Sequence, residues 1–369
     1  MHVPFFELRP SLPGLRESQM LGFSEVFASG QFIIGKANND FCSAFAEANQ
    51  IKHCIGTGNG FDALFISLKC LGIGVGDEVL VPAHTFIATI NAIIKTGATP
   101  ILVDCQIDDP VISLAHATTL ITPQTKAIIV VHMHGQACDM AALSDFSKTH
   151  RLIVLEDFAQ AHGATWNNKP VGSFGEINAT SFYPTKNLGA LGDAGAITTN
   201  NSDLAEIATS LRNYGKNKHG EFEMVGYNSR LDELQAAVLL AKLPYLKELN
   251  KQRIDIANKY NTGLSKITAV KTPTISDPGS HVFYNYLLLA EDRDKLYSHL
   301  KTLDIHCEIN NNVTPVFDYP ALKSFNVDST QFPNVNRIKS HGILLPMFPG
   351  LLENEQYYII EHIKCFYAK

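Results

Sequence analysis

Lys186 lies in the run SFYPTKNLGALGDAGAI, after a Ser-Phe-Tyr-Pro stretch and before a turn with glycines at 189, 192 and 195. Apolar surroundings disfavour an ammonium, which makes the free amine a better nucleophile toward an aldehyde. Taken alone, a single lysine also reads as a solvated side chain. A second group stands in LIVLEDFAQAHGA, where Glu156 and Asp157 close an apolar run. Successive strand residues face opposite ways, so one of the two carboxylates points into a site at the carboxyl edge of a sheet. By itself Asp157 also fits a helix cap, and His162 a satisfied loop histidine.

A third group is the stretch CIGTGNGFDALFISL, which sets glycines 56, 58 and 60 directly before an amphipathic helical pattern. Free backbone N–H groups and the helix dipole there favour an anion. Plain loop geometry is the other reading, with Asp62 as a first-turn carboxylate. Neither GxGxxG nor GxxxxGK[ST] occurs, which excludes a Rossmann dinucleotide site and a P-loop.

An amine for an aldehyde, a carboxylate for a ring nitrogen and a cradle for a phosphate are together what pyridoxal 5′-phosphate requires of a protein. Phe86, in VPAHTFIAT, is available to stack on the ring, or else belongs to ordinary core packing. His84 beside it is a substrate-side candidate. His132 and His134 in VVHMHGQ suggest a metal pair, but no third ligand has the spacing, so they are assigned to loop and core and no metal is expected.

Positioning such groups takes a wound α/β framework. Strand candidates are residues 78–82 (EVLVP), 100–104 (PILVD), 127–132 (AIIVVH), 152–156 (LIVLE) and 194–198 (AGAIT), apolar on both faces as in a covered parallel sheet. Helical patterns fall at 63–71, 87–95 and 140–149, with a longer one at 230–260 interrupted at Pro244. Residues 281–289 and 292–303 supply a further strand and helix. This divides the chain into an N-terminal arm and helix (1–30), a large domain (31–250) and a small C-terminal domain (251–369).

The 369 residues, 45% hydrophobic and 18% charged, are too many for a disulfide-stapled module. Thirty basic against 36 acidic residues, a net charge of −6, argue against nucleic-acid or anionic-membrane surfaces. Seven scattered cysteines without a CxxC pair favour free thiols, and no leader or membrane span is evident, so a cytoplasmic protein is expected.

The ordered set GNGFDAL, GDEVLVPAHTFIAT, LEDFAQAHGA, SFYPTKNLGALGDAGAI and GYNSRLDELQAAVL resembles the DegT/DnrJ/EryC1/StrS family of pyridoxal-phosphate-dependent sugar aminotransferases. The resemblance implies fold type I, a large domain with a mostly parallel, seven-stranded mixed sheet flanked by helices, plus a smaller α/β domain. It implies that Lys186 bonds the cofactor's aldehyde, Asp157 pairs with its ring nitrogen, Gln160 approaches its phenolic oxygen and Phe86 stacks on it. The backbone amides of Gly60 and Phe61 and the Ser181 hydroxyl would hold the phosphate, with Asn228 reaching it from the neighbouring subunit of a homodimer that shares its sites. Glutamate is the implied amino donor and a nucleotide-linked keto-6-deoxysugar the acceptor.

GNGFDAL in place of the commoner SGTDAL resembles the members that aminate C3 of a dTDP-linked 3-keto-6-deoxyhexose, with C4-specific members as the alternative. A 3-dehydratase of the same lineage would carry histidine at position 186, and a non-catalytic regulatory homologue would not need the whole residue set. The chain departs from the family at EINNNVTPVFDYP, where Asn310, Asn311 and Asn312 replace a His-Tyr-Pro stretch. It departs again at PMFPG, with Phe348 in place of histidine. The asparagines read as a polar set for sugar hydroxyls or as a turn.

Overall fold

A computed structural model describes residues 1–275 and 277–368. Its main sheet has seven strands: β1 (His53–Thr57), β2 (Glu78–Pro82), β3 (Thr99–Val103), β4 (Thr125–Val131), β5 (Ile153–Asp157), β6 (Ile177–Ser181) and β7 (Gly195–Thr199). The spatial order is β1-β7-β6-β5-β4-β2-β3. Strands β3, β2, β4, β5 and β6 run parallel, whereas β7 runs antiparallel to both of its neighbours. This is the mixed, mostly parallel sheet of fold type I.

Two layers of apolar side chains cover the sheet, and strand alternation sorts them. Val79, Val81, Ala127, Ile129, Val131 and Leu155 face one layer, built with helices Gly60–Cys70, Ile87–Thr96 and Ser202–Leu211. Leu80, Ile128, Val130 and Val154 face the other, with helices Lys36–Ala48, Met140–His150 and Glu233–Lys242. Full burial of each such aliphatic side chain contributes about 1.5–3 kcal/mol, which explains why these strands read as continuous apolar runs.

Two strands differ from the sequence reading. Residues 53–57, read as part of a glycine turn, form β1, which pairs along its length with β7. Residues 177–181 (INATS) carry little apolar signal, yet form β6 in the middle of the sheet, because pairing with β5 and β7 supplies what composition does not. Conversely, only residues 286–289 of the expected 281–289 strand pair as a strand, which runs on to Ala290, while His281 makes an isolated bridge to Gln136.

A second, antiparallel sheet consists of β8 (Val270–Lys271), β9 (Tyr286–Ala290) and β10 (Gly342–Leu345). Residue 250 lies inside the helix Leu246–Leu264, which follows a short 3₁₀ turn containing Pro244. Leu246 packs against one face of the main sheet's core, whereas Ile256, Ala257, Tyr260 and Leu264 belong to the core under the second sheet. One helix thus spans both apolar cores. The N-terminal helix Leu15–Ser29 buries only Val26 and leaves Met20, Leu21 and Phe27 exposed. Among the described residues no helix is long and apolar enough to cross a membrane.

Candidate active site

The site gathers at the carboxyl edge of the parallel strands. Parity decides which carboxylate it receives: Asp157 shares its sheet face with Leu155, toward helix Ile87–Thr96, and Glu156 faces the opposite layer. On that helix the Thr89 hydroxyl donates to Asp157 Oδ2 at 3.0 Å, and the Ala159 backbone N–H donates to Oδ1 at 3.2 Å. Burial pushes the Asp157 carboxyl above its ordinary range, against the pull of these hydrogen bonds and of the Lys186 ammonium. A buried carboxylate near a lysine, with its charge only partly compensated, stabilises a further cation placed beside it.

Glu156 has a structural role. Its carboxylate accepts from His132 Nε2 at 3.0 Å and from the backbone N–H groups of Gly172, Phe174 and Gly175. The Cys138 N–H donates to His132 Nδ1, leaving the Nε2 proton for Glu156. Burial alone would raise Glu156, but these hydrogen bonds prevail and hold it below the usual carboxylate range. His162, also fully buried, bonds the Thr180 hydroxyl at 2.8 Å and stacks on Phe182, so it is a core histidine.

Lys186 sits in the tight loop that follows β6, its backbone N–H donating to Tyr183 O at 2.8 Å. Its Nζ lies 4.4 Å from the centre of the Tyr284 ring, a cation–π contact. Thr185 Oγ1 and Tyr284 Oη are 3.1 Å apart, and Asn187 Nδ2 donates to Asn250 Oδ1 and Val282 O. Both residues flanking Lys186 are therefore tied to the 282–284 segment or to helix Leu246–Leu264. Burial would raise the Tyr284 hydroxyl, yet Lys186 and Thr185 bring it below the usual phenol range.

The anion cradle is built from the glycine-rich turn. Asn59 caps helix Gly60–Cys70 by accepting from the Asp62 N–H at 2.8 Å, and its amide donates to Asp62 Oδ2, so Asp62 belongs to the cap. Ala63 N–H returns to Asn59 O. Among the described residues the N–H groups of Gly60 and Phe61 have no protein acceptor, and both stand at the positive end of the helix. Ser181 lies directly opposite: a Cβ on Gly60 would stand 2.5 Å from Ser181 Cβ. Gly195, paired with both Thr57 and Ser181, leaves the room through which Asn59 and Gly60 pass.

Phe86 caps the first turn of helix Ile87–Thr96 and is 50% exposed, not packed in the core. Its carbonyl accepts from the Thr89 N–H, so one helical turn links Phe86 to the residue that holds Asp157. Gln160 Oε1 accepts from the His134 N–H at 2.7 Å, and its Nε2 donates to Asn312 Oδ1 at 3.4 Å. His84 is fully buried and donates through Nε2 to the Asn312 carbonyl at 2.8 Å. Burial drives its pKa down to about 4 despite that bond, so it is neutral near pH 7.

The Asn310–Asn312 stretch is a turn whose three members part ways. Asn311 has φ 42° and its carbonyl accepts from the Tyr319 hydroxyl, Asn310 N–H bonds Glu308, and only Asn312 joins Gln160 and His84. Phe348 is wholly buried, edge-on to Phe6 and under the Arg9 guanidinium, so this departure is a packing residue. Asn228 is exposed on the segment that follows Phe222 and Val225, themselves exposed. His132 and His134 both lie in the core, and His134 is pushed well below the ordinary histidine range by burial.

Sequence reasoning missed Thr89, Tyr284 and the Asn187–Asn250 pair. Asn59, three residues before Asp62 and ahead of an apolar helix, carried a readable capping signal. Tyr284 carried none, being one aromatic within HVFYNY.

An amine near a buried carboxylate, with an anion cradle at the same edge, fits pyridoxal 5′-phosphate, and comparison with known proteins agrees. The DegT/DnrJ/EryC1/StrS aminotransferase family profile matches residues 13–364. The chain is 40% identical to a "pleiotropic regulatory protein" of Geobacillus stearothermophilus, over all of this chain and 99% of that one. It is also 40% identical to the dTDP-3-amino-3,6-dideoxy-alpha-D-galactopyranose transaminase of Aneurinibacillus thermoaerophilus, over 99% of both chains. The fold superposes on S. venezuelae DesV in complex with a ketimine intermediate with a TM-score of 0.96 at 35% identity, covering 100% of this chain and 99% of that one. The chain belongs to the DegT/DnrJ/EryC1/StrS aminotransferase family and is a pyridoxal-phosphate-dependent sugar aminotransferase.

Proposed function

We propose that this chain moves an amino group from glutamate to C3 of a dTDP-linked 3-keto-6-deoxyhexose, yielding a dTDP-3-amino-3,6-dideoxyhexose. The observation that carries the reading is the convergence of Lys186 on Tyr284, Asp157 on Thr89 and Gly60 on Ser181 at one sheet edge. The preference for C3 is supported by GNGFDAL and by the 40% identity to the Aneurinibacillus C3 transaminase.

When bound, the cofactor supplies an aldehyde and an electron sink. The Gly60 and Phe61 N–H groups and the Ser181 hydroxyl would hold its phosphate, Asp157 would hold the proton on its ring nitrogen, Phe86 would cover the ring and Gln160 would orient the phenolic oxygen. Lys186 Nζ would hold the cofactor through its aldehyde carbon, with loss of water, and when free would act as general base on the donor's α-proton. In the second half-reaction it returns a proton to the sugar carbon that gains nitrogen. The Tyr284 ring under Nζ keeps that amine in place between the two roles. Neutral His84 fixes the Asn312 carbonyl, and of the asparagine stretch Asn312, which also meets Gln160, faces the sugar.

In this proposal residues 31–250 form the cofactor-binding domain and 251–369 the smaller one. The enzyme is a homodimer in which Asn228 completes the neighbour's phosphate site. The exposed Met20, Leu21 and Phe27 of the N-terminal helix, and the exposed Phe222 and Val225 near Asn228, support such a pairing, since a subunit would cover these large apolar side chains.

The test is to incubate the holoenzyme with glutamate and a panel of nucleotide-linked 3-keto and 4-keto 6-deoxysugars, then to identify the product. Amination at C3 of the dTDP-linked 3-keto sugar is expected. Amination confined to 4-keto sugars, or to UDP- or GDP-linked ones, would replace this substrate assignment.

A further inference from the structure

We infer that His2, Asp304 and His306 form a surface binding site for a divalent transition-metal ion, with zinc as the fitting occupant, that ties the N-terminal arm to the C-terminal part of the chain. None of the three belongs to the set assigned to the cofactor. His2 Nδ1 is 3.1 Å and His306 Nε2 3.0 Å from the same carboxylate oxygen, Asp304 Oδ1. The three ligand atoms all lie within 4.8 Å of one another.

Backbone pairing puts them there. Val3 N–H donates to Asp304 O and His306 N–H to Val3 O, both at 2.9 Å, forming a parallel bridge between Val3 and Ile305. Val3 is 0% and Ile305 1% exposed, both plugged into the core under the second sheet. His2 and His306 flank the inward Val3 and Ile305 and so face outward, and Asp304, in a turn with φ 60°, joins them on the solvent side, all three side chains being more than half exposed. The cluster is thus positioned by two buried aliphatic side chains and two backbone hydrogen bonds.

The ligand chemistry selects the ion. Two imidazole nitrogens with one carboxylate suit zinc and its first-row neighbours, whereas magnesium and calcium prefer all-oxygen sets. Zinc bonded at about 2.0–2.2 Å holds its ligand atoms roughly 2.9 Å apart at right angles and about 3.4 Å apart at the tetrahedral angle. The two histidine-to-carboxylate spacings, 3.0 and 3.1 Å, lie within that span, and the two imidazole nitrogens lie within 4.8 Å of each other. With side chains 54–63% exposed, water completes the coordination. The arm so fixed continues into residues 6–23, which line a cavity of about 450 Å³ together with the 184–191 loop that carries Lys186.

The tag-free holoenzyme is titrated with zinc chloride by calorimetry, and with cobalt(II) chloride followed by visible d–d absorption. One equivalent per chain is expected to disappear in His2→Ala and in His306→Ala, and to weaken at least tenfold in Asp304→Asn. Circular dichroism and the bound-cofactor absorption band should be unchanged in all three variants. Absence of binding to the parent chain, or an equivalent that survives both histidine substitutions, overturns the assignment, whatever the aminotransferase assay shows.

Discussion

Gly60 and Ser181 approach so closely that a Cβ on Gly60 would stand 2.5 Å from Ser181 Cβ, although 121 positions separate them in the chain. The contact brings the amino end of helix Gly60–Cys70 against the end of β6, aligning two unclaimed N–H groups with one hydroxyl. It is the geometric origin of the anion cradle.

Gly60→Ala must push this helix end away from Ser181. The expected result is at least a tenfold loss of cofactor affinity, or about 1.4 kcal/mol, with the thermal midpoint of the apoprotein little changed. Titrating the apoprotein with pyridoxal phosphate measures it. Unaltered affinity would remove the phosphate from this position.

Lys186 meets Tyr284 through a cation–π contact and makes no salt bridge among the described residues. Lys186→Arg should therefore leave the fold intact while lowering turnover by at least about 10³-fold, the scale for removing a group that acts as a unit with the chemistry. Single-turnover assays with glutamate, with circular dichroism as the folding control, read both. A variant that retains its rate excludes this lysine as the reacting amine.

Glu156 links the site's scaffold to pH. Its carboxyl is held below the ordinary value of 4.5, so its contribution is present above that pH and is lost as pH falls through the lower folded-state value. Glu156→Gln should destabilise the protein by about 3 kcal/mol at pH 7, as expected for one partner removed from a buried pair. The gap to the parent should narrow below pH 4.5, as the carboxyl is protonated first in the unfolded chain and then, at its lower value, in the folded one. Denaturant melts across pH 3–7 check this, and a gap constant with pH would contradict it.

Asn228 is the probe for shared sites. Asn228→Ala in one chain of a mixed dimer, with Lys186→Ala marking the other, separates the two possibilities. Retention at the site that keeps Lys186 is expected to be unchanged, because that site takes its Asn228 from the other chain. A loss confined to the substituted chain's own site would establish that each site is built within one subunit.

Part of this architecture was legible in the residues. The run EVLVP occupies residues 78–82 as read, and β3, β4, β5 and β7 fall within one or two residues of their expected bounds, because burial on both faces leaves an unbroken apolar run. INATS was not legible, since its apolar content is only Ile177 and Ala179 and the partners of its buried Asn178, on β5, β7 and at Gly172, lie elsewhere in the chain. His84, expected beside the sugar, proved to be wholly buried and to act on Asn312, a partner 228 positions away.

Sequence alone determined the chemical inventory: an amine in apolar context, a carboxylate pair ending a strand and a glycine turn before a helix, each a matter of a few adjacent residues. Tertiary structure decided how that inventory is used. It set Asp157 toward Thr89 and Glu156 toward His132, placed Tyr284 beneath Lys186, and buried Phe348 where a family histidine was expected. The reason is physical: alternation guarantees that two successive side chains diverge, but which one enters a site depends on which helices cover each sheet face, and that is settled by packing among distant segments.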